Sequence, residues 1–200
     1  MKRLLLATRN EGKARELREL LDGIDIPIES LASHPEAPDV EEHGGSFEAN
    51  ARLKATQAAT STGLWAIAED SGLVVDKLGG APGVRSARYA GVHGDSSANN
   101  QKLLRELEGE SQRDARFACV IVLARPDGEI VATGHGTCEG AIALEPRGNQ
   151  GFGYDPLFIP ERAPEFTMAE LDPREKGLVS HRGQAMRSFL PLLRVHLEDS

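Results

Sequence analysis

The run "RFACVIVLA", Arg116 to Ala124, constrains this chain more than any other stretch. A strand apolar on almost every residue must be covered on both faces, so it reads as the centre of a sheet with layers on either side. "RPDGE" then places Pro and Asp-Gly where a turn needs them, and "IVATGHGTCEGAI" returns as a partner strand. The pair is a hairpin.

The chain before it alternates strand and helix. "RLLLAT" is a short buried strand, and "EGKARELRELL" follows with Leu17, Leu20 and Leu21 at helical spacing. "IPIES" reads as a second strand and 31–45 as a loop. Ser46 caps a helix, "FEANARLKATQAATSTG", that stops at Gly63. "LWAIAEDSGLVVD" reads as two extended runs broken at Glu69-Asp70-Ser71-Gly72, and "LGGAPGVRSARYAG" is rich in turns. Asp95 caps a helix reaching about Glu108. Thr167 and Glu170 spell a T-x-x-E capping box for a short helix. From Ser180 the pattern is helical again, with Pro191 expected to kink or divide it near Arg187 to Leu190. Early βα alternation and a late hairpin define an α/β fold with a mixed sheet. The 200 residues suit one domain, or two lobes sharing a cleft.

Charge narrows the function. Net charge is −8, with no block of Lys and Arg, which argues against a nucleic acid polymer as partner. A small phosphorylated ligand needs only a few local cations. The four apolar residues before Thr8 are too short for a signal peptide or a span, so a soluble, cytoplasmic protein with no membrane partner is expected. Cys119 and Cys138 form no CxxC pair and read as structural thiols, a disulfide between them being the other option.

Five stretches carry candidate chemistry. "TRNEGK" lies at a strand-to-helix turn, where backbone N–H groups and Lys13 can receive an anion; it lacks the leading Gly and trailing Ser/Thr of a Walker A loop. Glu41-Glu42 and Glu69-Asp70 are adjacent carboxylates, which repel unless exposed, protonated or holding a cation, and hard oxygen ligands suit Mg²⁺. Solvated loop acids are the plainer reading for Glu42. "NQGFGYDP" puts Phe152 and Tyr154 among turn residues, in a chain with only one Trp, two Tyr and six Phe. Either both rings fold back onto the core, or the loop holds a flat ring. In "EKGLVSHRGQ", Ser180 caps a helix whose first turn holds His181 and Arg182, cations that the helix dipole disfavours unless an anion or a keto group lies near.

As a set these pieces resemble one family. "TRNEGKARE" is similar to its [ST]-x-N-x-x-K-x-x-E signature, and "AEDSGL", "GGAPGVRSARYAG", "GFGYDPLF" and "EKGLVSHRGQA" follow in the family's order. It is the inosine triphosphate pyrophosphatase family, the dITP/XTP diphosphatases, and the resemblance runs from Leu4 to about Leu190. It implies Mg²⁺-dependent hydrolysis of a non-standard purine triphosphate (ITP, dITP, XTP) to the monophosphate and pyrophosphate. It also implies an elongated mixed central sheet flanked by helices, two lobes around an active-site cleft, one pyrophosphatase domain over 1–200, and a homodimer. Thr8, Arg9, Asn10, Glu11, Gly12 and Lys13 would bind the triphosphate. Glu41 and Asp70 would hold the metal, Asp70 being the proton acceptor. Ser71, Phe152, Gly153, Tyr154, Asp155, Lys176, His181 and Arg182 would complete the nucleotide site. Arg9 stands where the signature often has Gly, and Glu69 where many relatives have Asp.

Overall fold

The computed structural model describes residues 2–38, 40 and 44–197. Six strands form one mixed sheet in the order β2-β1-β3-β4-β5-β6. They are β1 Leu4–Leu6, β2 Ile28–Ser30, β3 Trp65–Val75, β4 Asp114–Ala124, β5 Ile130–Ile142 and β6 Phe158–Pro160. β1 runs parallel to β2 and β3, with Leu4 opposite Ile28 and Trp65; β5 and β6 are antiparallel, with Gly140 opposite Pro160. Among the described residues five α-helices accompany them: α1 Glu11–Leu20, α2 Phe47–Thr62, α3 Ser96–Glu106, α4 Pro173–Val179 and α5 His181–Leu197. β4 is the interior strand expected of an unbroken apolar run. It joins β5 through a turn closed by Arg125 N–H to Glu129 O and Gly128 N–H to Arg125 O.

Two compact units divide the chain. The first comprises 1–70, 119–136 and 185–200; the second, 71–118 and 137–184. In the first, strand alternation sorts side chains to two faces. Leu4, Leu6, Ile67 and Cys119 pack with Leu17 of α1, with Leu21 at its C-terminal cap, and with Met186, Phe189 and Leu193 of α5. Leu5, Ala66, Ala68 and Val122 pack with Ala51, Ala55, Ala58 and Ala59 of α2. The second unit is built on Leu73, Leu103, Phe117, Cys138, Tyr154, Phe158 and Met168. Phe117 and Phe158 meet with ring centroids 4.6 Å apart.

Helix ends follow the sequence closely. Asn10, Ser46 and Asp95 each accept a hydrogen bond from a backbone N–H three residues on. Gly63 ends α2 in the left-handed conformation (φ 68°), which costs glycine no Cβ clash.

Three sequence expectations are corrected. β3 is continuous from Trp65 to Val75, with no break at Glu69 to Gly72; partly buried lysine partners make the acidic pair compatible with a strand. Thr167 and Glu170 close a turn, not a helix: the Thr167 N–H donates to Glu170 Oε2 at 2.7 Å. The capping box belongs to Asp172 and Glu175 at the start of α4, where Pro173 takes the first helical position. α5 runs through Pro191 without being divided. Both thiols are free and buried.

Candidate functional site

In the first unit the phosphate-loop candidate is a capped turn. The Thr8 hydroxyl accepts from the Asn10 N–H (3.1 Å), and Asn10 Oδ1 accepts from the Lys13 N–H (3.0 Å). Lys13 thus sits in the first turn of α1, at the positive end of its dipole. Glu11 and Gly12 fill the first two positions of that turn. Arg9 donates to two carbonyls of the following loop, Leu31 O at 3.2 Å and Ala37 O at 2.8 Å. Its guanidinium ties the turn to residues 31–37, a use of the Gly-to-Arg departure that the sequence did not show.

β3 carries the two carboxylates to opposite faces. Glu69, 3% exposed, has Oε1 at 2.9 Å from Lys13 Nζ. Asp70, 5% exposed, has Oδ1 at 2.8 Å from Lys54 Nζ and Oδ2 at 3.0 Å from Asn50 Nδ2. Asn50 and Lys54 come from α2. Sequence reading missed both. The available signal was their i, i+4 spacing within the stripe Ala51, Ala55, Ala58 and Ala59 that α2 buries. The 2.8 Å Asn50 Oδ1 to Gly44 N–H bond also ties this pair to the start of the α2 cap. Glu41 lies outside the described residues.

The second unit holds the other candidates. Phe152 is half-buried, with Lys176 Nζ 5.1 Å and Arg182 Cζ 5.4 Å from its ring centroid. Lys176 Nζ is 2.7 Å from Asp155 Oδ2, which also accepts from the Phe152 N–H at 2.7 Å. Gly151, at φ +73°, explains the loop's glycines: a Cβ there would lie 2.1 Å from Asp155 Oδ2. Arg182 is buried and donates to the Ser71 hydroxyl at 3.3 Å. His181 stacks on Phe117 with centroids 4.6 Å apart and planes 14° apart. Ser180 caps α5 by accepting from the Gly183 N–H (3.1 Å). Gly183 is obligatory, because a Cβ there would come within 1.8 Å of Gly177 O.

The two aromatics of the loop part company. Tyr154 is buried in the core, its hydroxyl donating to Ser86 O at 2.9 Å, and burial raises its phenol well above the ordinary value. Phe152 keeps a partly open ring. Asn100, a third residue missed, donates from Nδ2 to Gly153 O at 3.1 Å and so braces the loop from α3.

Chemically, a lysine at a helix N-terminus can take an anion, a buried carboxylate beside a lysine can take a proton, and an aromatic flanked by cations can take a flat ring. Among the described residues no three His, Cys, Asp or Glu side chains converge as a metal cage. Each unit thus carries parts that suit a nucleotide-handling α/β protein. The chain belongs to the Ham1 family, whose model matches residues 4–192. It is 51% identical over 187 residues to the dITP/XTP pyrophosphatase of Exiguobacterium sp., covering 94% of each chain. It is 53% identical to the protein of the same name from Thioalkalivibrio sulfidiphilus, over 96% of this chain and 98% of the other. Among solved structures, a HAM1 protein from Coxiella burnetii superposes with a TM-score of 0.85 at 43% identity, over the whole of both chains.

Proposed function

We infer that this protein is a pyrophosphatase of non-standard purine nucleoside triphosphates, converting ITP, dITP and XTP to monophosphate and pyrophosphate. The family membership and the pyrophosphatase relatives support the reaction. The observation that carries the site assignment is the buried Asp70 carboxylate, held by Lys54 and Asn50 on the strand whose next residue is Ser71.

In this reading Thr8 to Lys13 receive the triphosphate, and Lys13 and the α1 N-terminus neutralise charge on the departing pyrophosphate. Asp70 accepts the proton of the water that attacks the α-phosphorus. Phe152 stacks on the base, Ser71 touches the substrate, and Gly153, Asp155 and Lys176 shape the platform. His181 and Arg182 donate to the 6-keto oxygen, a contact that the 6-amino group of adenine leaves unpaired.

Mg²⁺ fits this chemistry. The ion binds through one or two carboxylates and completes its shell with substrate phosphates and water; Asp70 would be one such carboxylate and Glu41 is proposed as the other. When bound it would polarise the phosphates and the attacking water. The whole chain, 1–200, acts as one pyrophosphatase domain, in a homodimer, in the cytoplasm. No helix among the described residues is long and apolar enough to cross a membrane.

Hydrolysis of ITP in H₂¹⁸O tests the reaction. Label found in the monophosphate supports attack at the α-phosphorus. Label in pyrophosphate, or release of orthophosphate, contradicts it. Tight binding of ITP without hydrolysis would favour a nucleotide-binding regulator.

A further inference from the structure

Glu69 has no task in the reaction above, yet it is buried beneath the lysine that the reaction uses. Its Oε1 lies 2.9 Å from Lys13 Nζ, and its Oε2 accepts from the Cys119 thiol at 3.5 Å. Cys119 is itself buried, in β4. Alternation along β3 places Ile67 with the α1 side of the sheet, and Ala66 and Ala68 with the α2 side. Glu69 therefore shares the face of α1, and Asp70 that of α2. The two carboxylates are neighbours in sequence but do not line one common oxygen site.

We propose that Glu69, steadied by Cys119, is a positioning residue that fixes Lys13 Nζ for the phosphates. The proposal rests on reading Lys13 as the phosphate lysine. A lysine is a point charge on a flexible four-carbon stem, so its placement must come from elsewhere. Its ammonium has three donors. One of them is given to Glu69. A carboxylate near a polyanion repels it unless a cation lies between them. Lys13 occupies that position, so Glu69 orients the lysine without facing the triphosphate. The thiol, a weak donor, restrains the second carboxylate oxygen without adding charge.

The test compares Glu69→Gln, Lys13→Ala and the double variant at saturating Mg²⁺. Glu69→Gln is expected to raise KM for ITP on the order of tenfold, the scale of coupling between contacting groups, and to change nothing further once Lys13 is Ala. A second readout does not need turnover: acetic anhydride footprinting by mass spectrometry should acylate Lys13 several-fold faster in Glu69→Gln, with Lys54 unchanged. Cys119→Ala, which keeps every charge, should give an intermediate Lys13 rate, and it supplies the readout if Glu69→Gln fails to fold. An equal KM increase with and without Lys13 would overturn the proposal. So would a higher half-saturating Mg²⁺ with Lys13 reactivity unchanged, because Glu69 would then serve the metal. A wild-type protein that releases no pyrophosphate from any triphosphate removes the functional reading, while the footprint still decides whether Glu69 holds Lys13.

Discussion

Asp70 and Lys54, sixteen residues apart in sequence, form a partly buried ion pair at 2.8 Å between β3 and α2. The carboxylate proposed as proton acceptor is therefore held by a cation on the face opposite Lys13. Replacing Asp70 with Asn keeps the shape but removes the charge and turns one of the two acceptors, which receive Lys54 Nζ and Asn50 Nδ2, into a donor. We predict a fall in kcat for ITP of ~10²–10⁴, the usual loss for a general base, while calorimetry with a non-hydrolysable analogue still detects binding. Retention of more than about a tenth of wild-type kcat would remove Asp70 from that role.

Lys54→Ala leaves Asp70 buried without its ammonium. Breaking a buried pair in this way costs about 3–5 kcal/mol, and solvent at the lysine, whose side chain is 13% exposed, brings the expectation to the lower end of that range. Denaturant unfolding should show this loss, and Asp70→Asn combined with Lys54→Ala should recover part of it. A double variant less stable by the sum of both singles would mean that the two residues act independently.

Phe152 and Tyr154 should respond in opposite ways. Phe152→Ala removes a stacking face worth roughly 1–3 kcal/mol per base, and should raise KM for every purine triphosphate by a similar factor. Tyr154→Phe should leave KM alone and cost about 0.5–1.5 kcal/mol of stability for the lost bond to Ser86. A KM change confined to one base would show that Phe152 reads polar edges instead of stacking.

Burial pushes the Cys138 thiol up to about 12. An unfolded thiol titrates near about 8.5, so the folded state holds its proton more tightly than the unfolded state. The resulting stability is fully present below about pH 8.5 and is lost as pH rises toward 12. Tm should decline across that window, less so in Cys138→Ala, and a thiol reagent at pH 8 should spare Cys138 until the chain unfolds. Equal alkaline slopes in both proteins would exclude the thiol as a contributor.

Much of the fold was legible because its signals are local. The β4 run, the Asp-Gly turn and the caps at Ser46 and Asp95 each depend on a few adjacent residues. The strand through Glu69 and Asp70 was not, because what permits two carboxylates there is Lys13 and Lys54, brought in from two helices. The same distance in sequence hid Lys54, Asn50 and Asn100 from the site. Thr167 and Glu170 misled for a different reason: a side-chain acceptor three residues from an N–H closes a turn as readily as it starts a helix. The five motifs in order carried the family where composition alone left only an acidic α/β protein.

The central claim is selective hydrolysis, and a panel of triphosphates tests it most directly. With Mg²⁺ present, kcat/KM should be measured by pyrophosphate release for ITP, dITP, XTP, ATP and GTP. The account predicts that the first three exceed ATP, which lacks the 6-keto oxygen, by at least about tenfold, the scale of one lost polar contact in a pocket. Equal kcat/KM for ATP and ITP would contradict it.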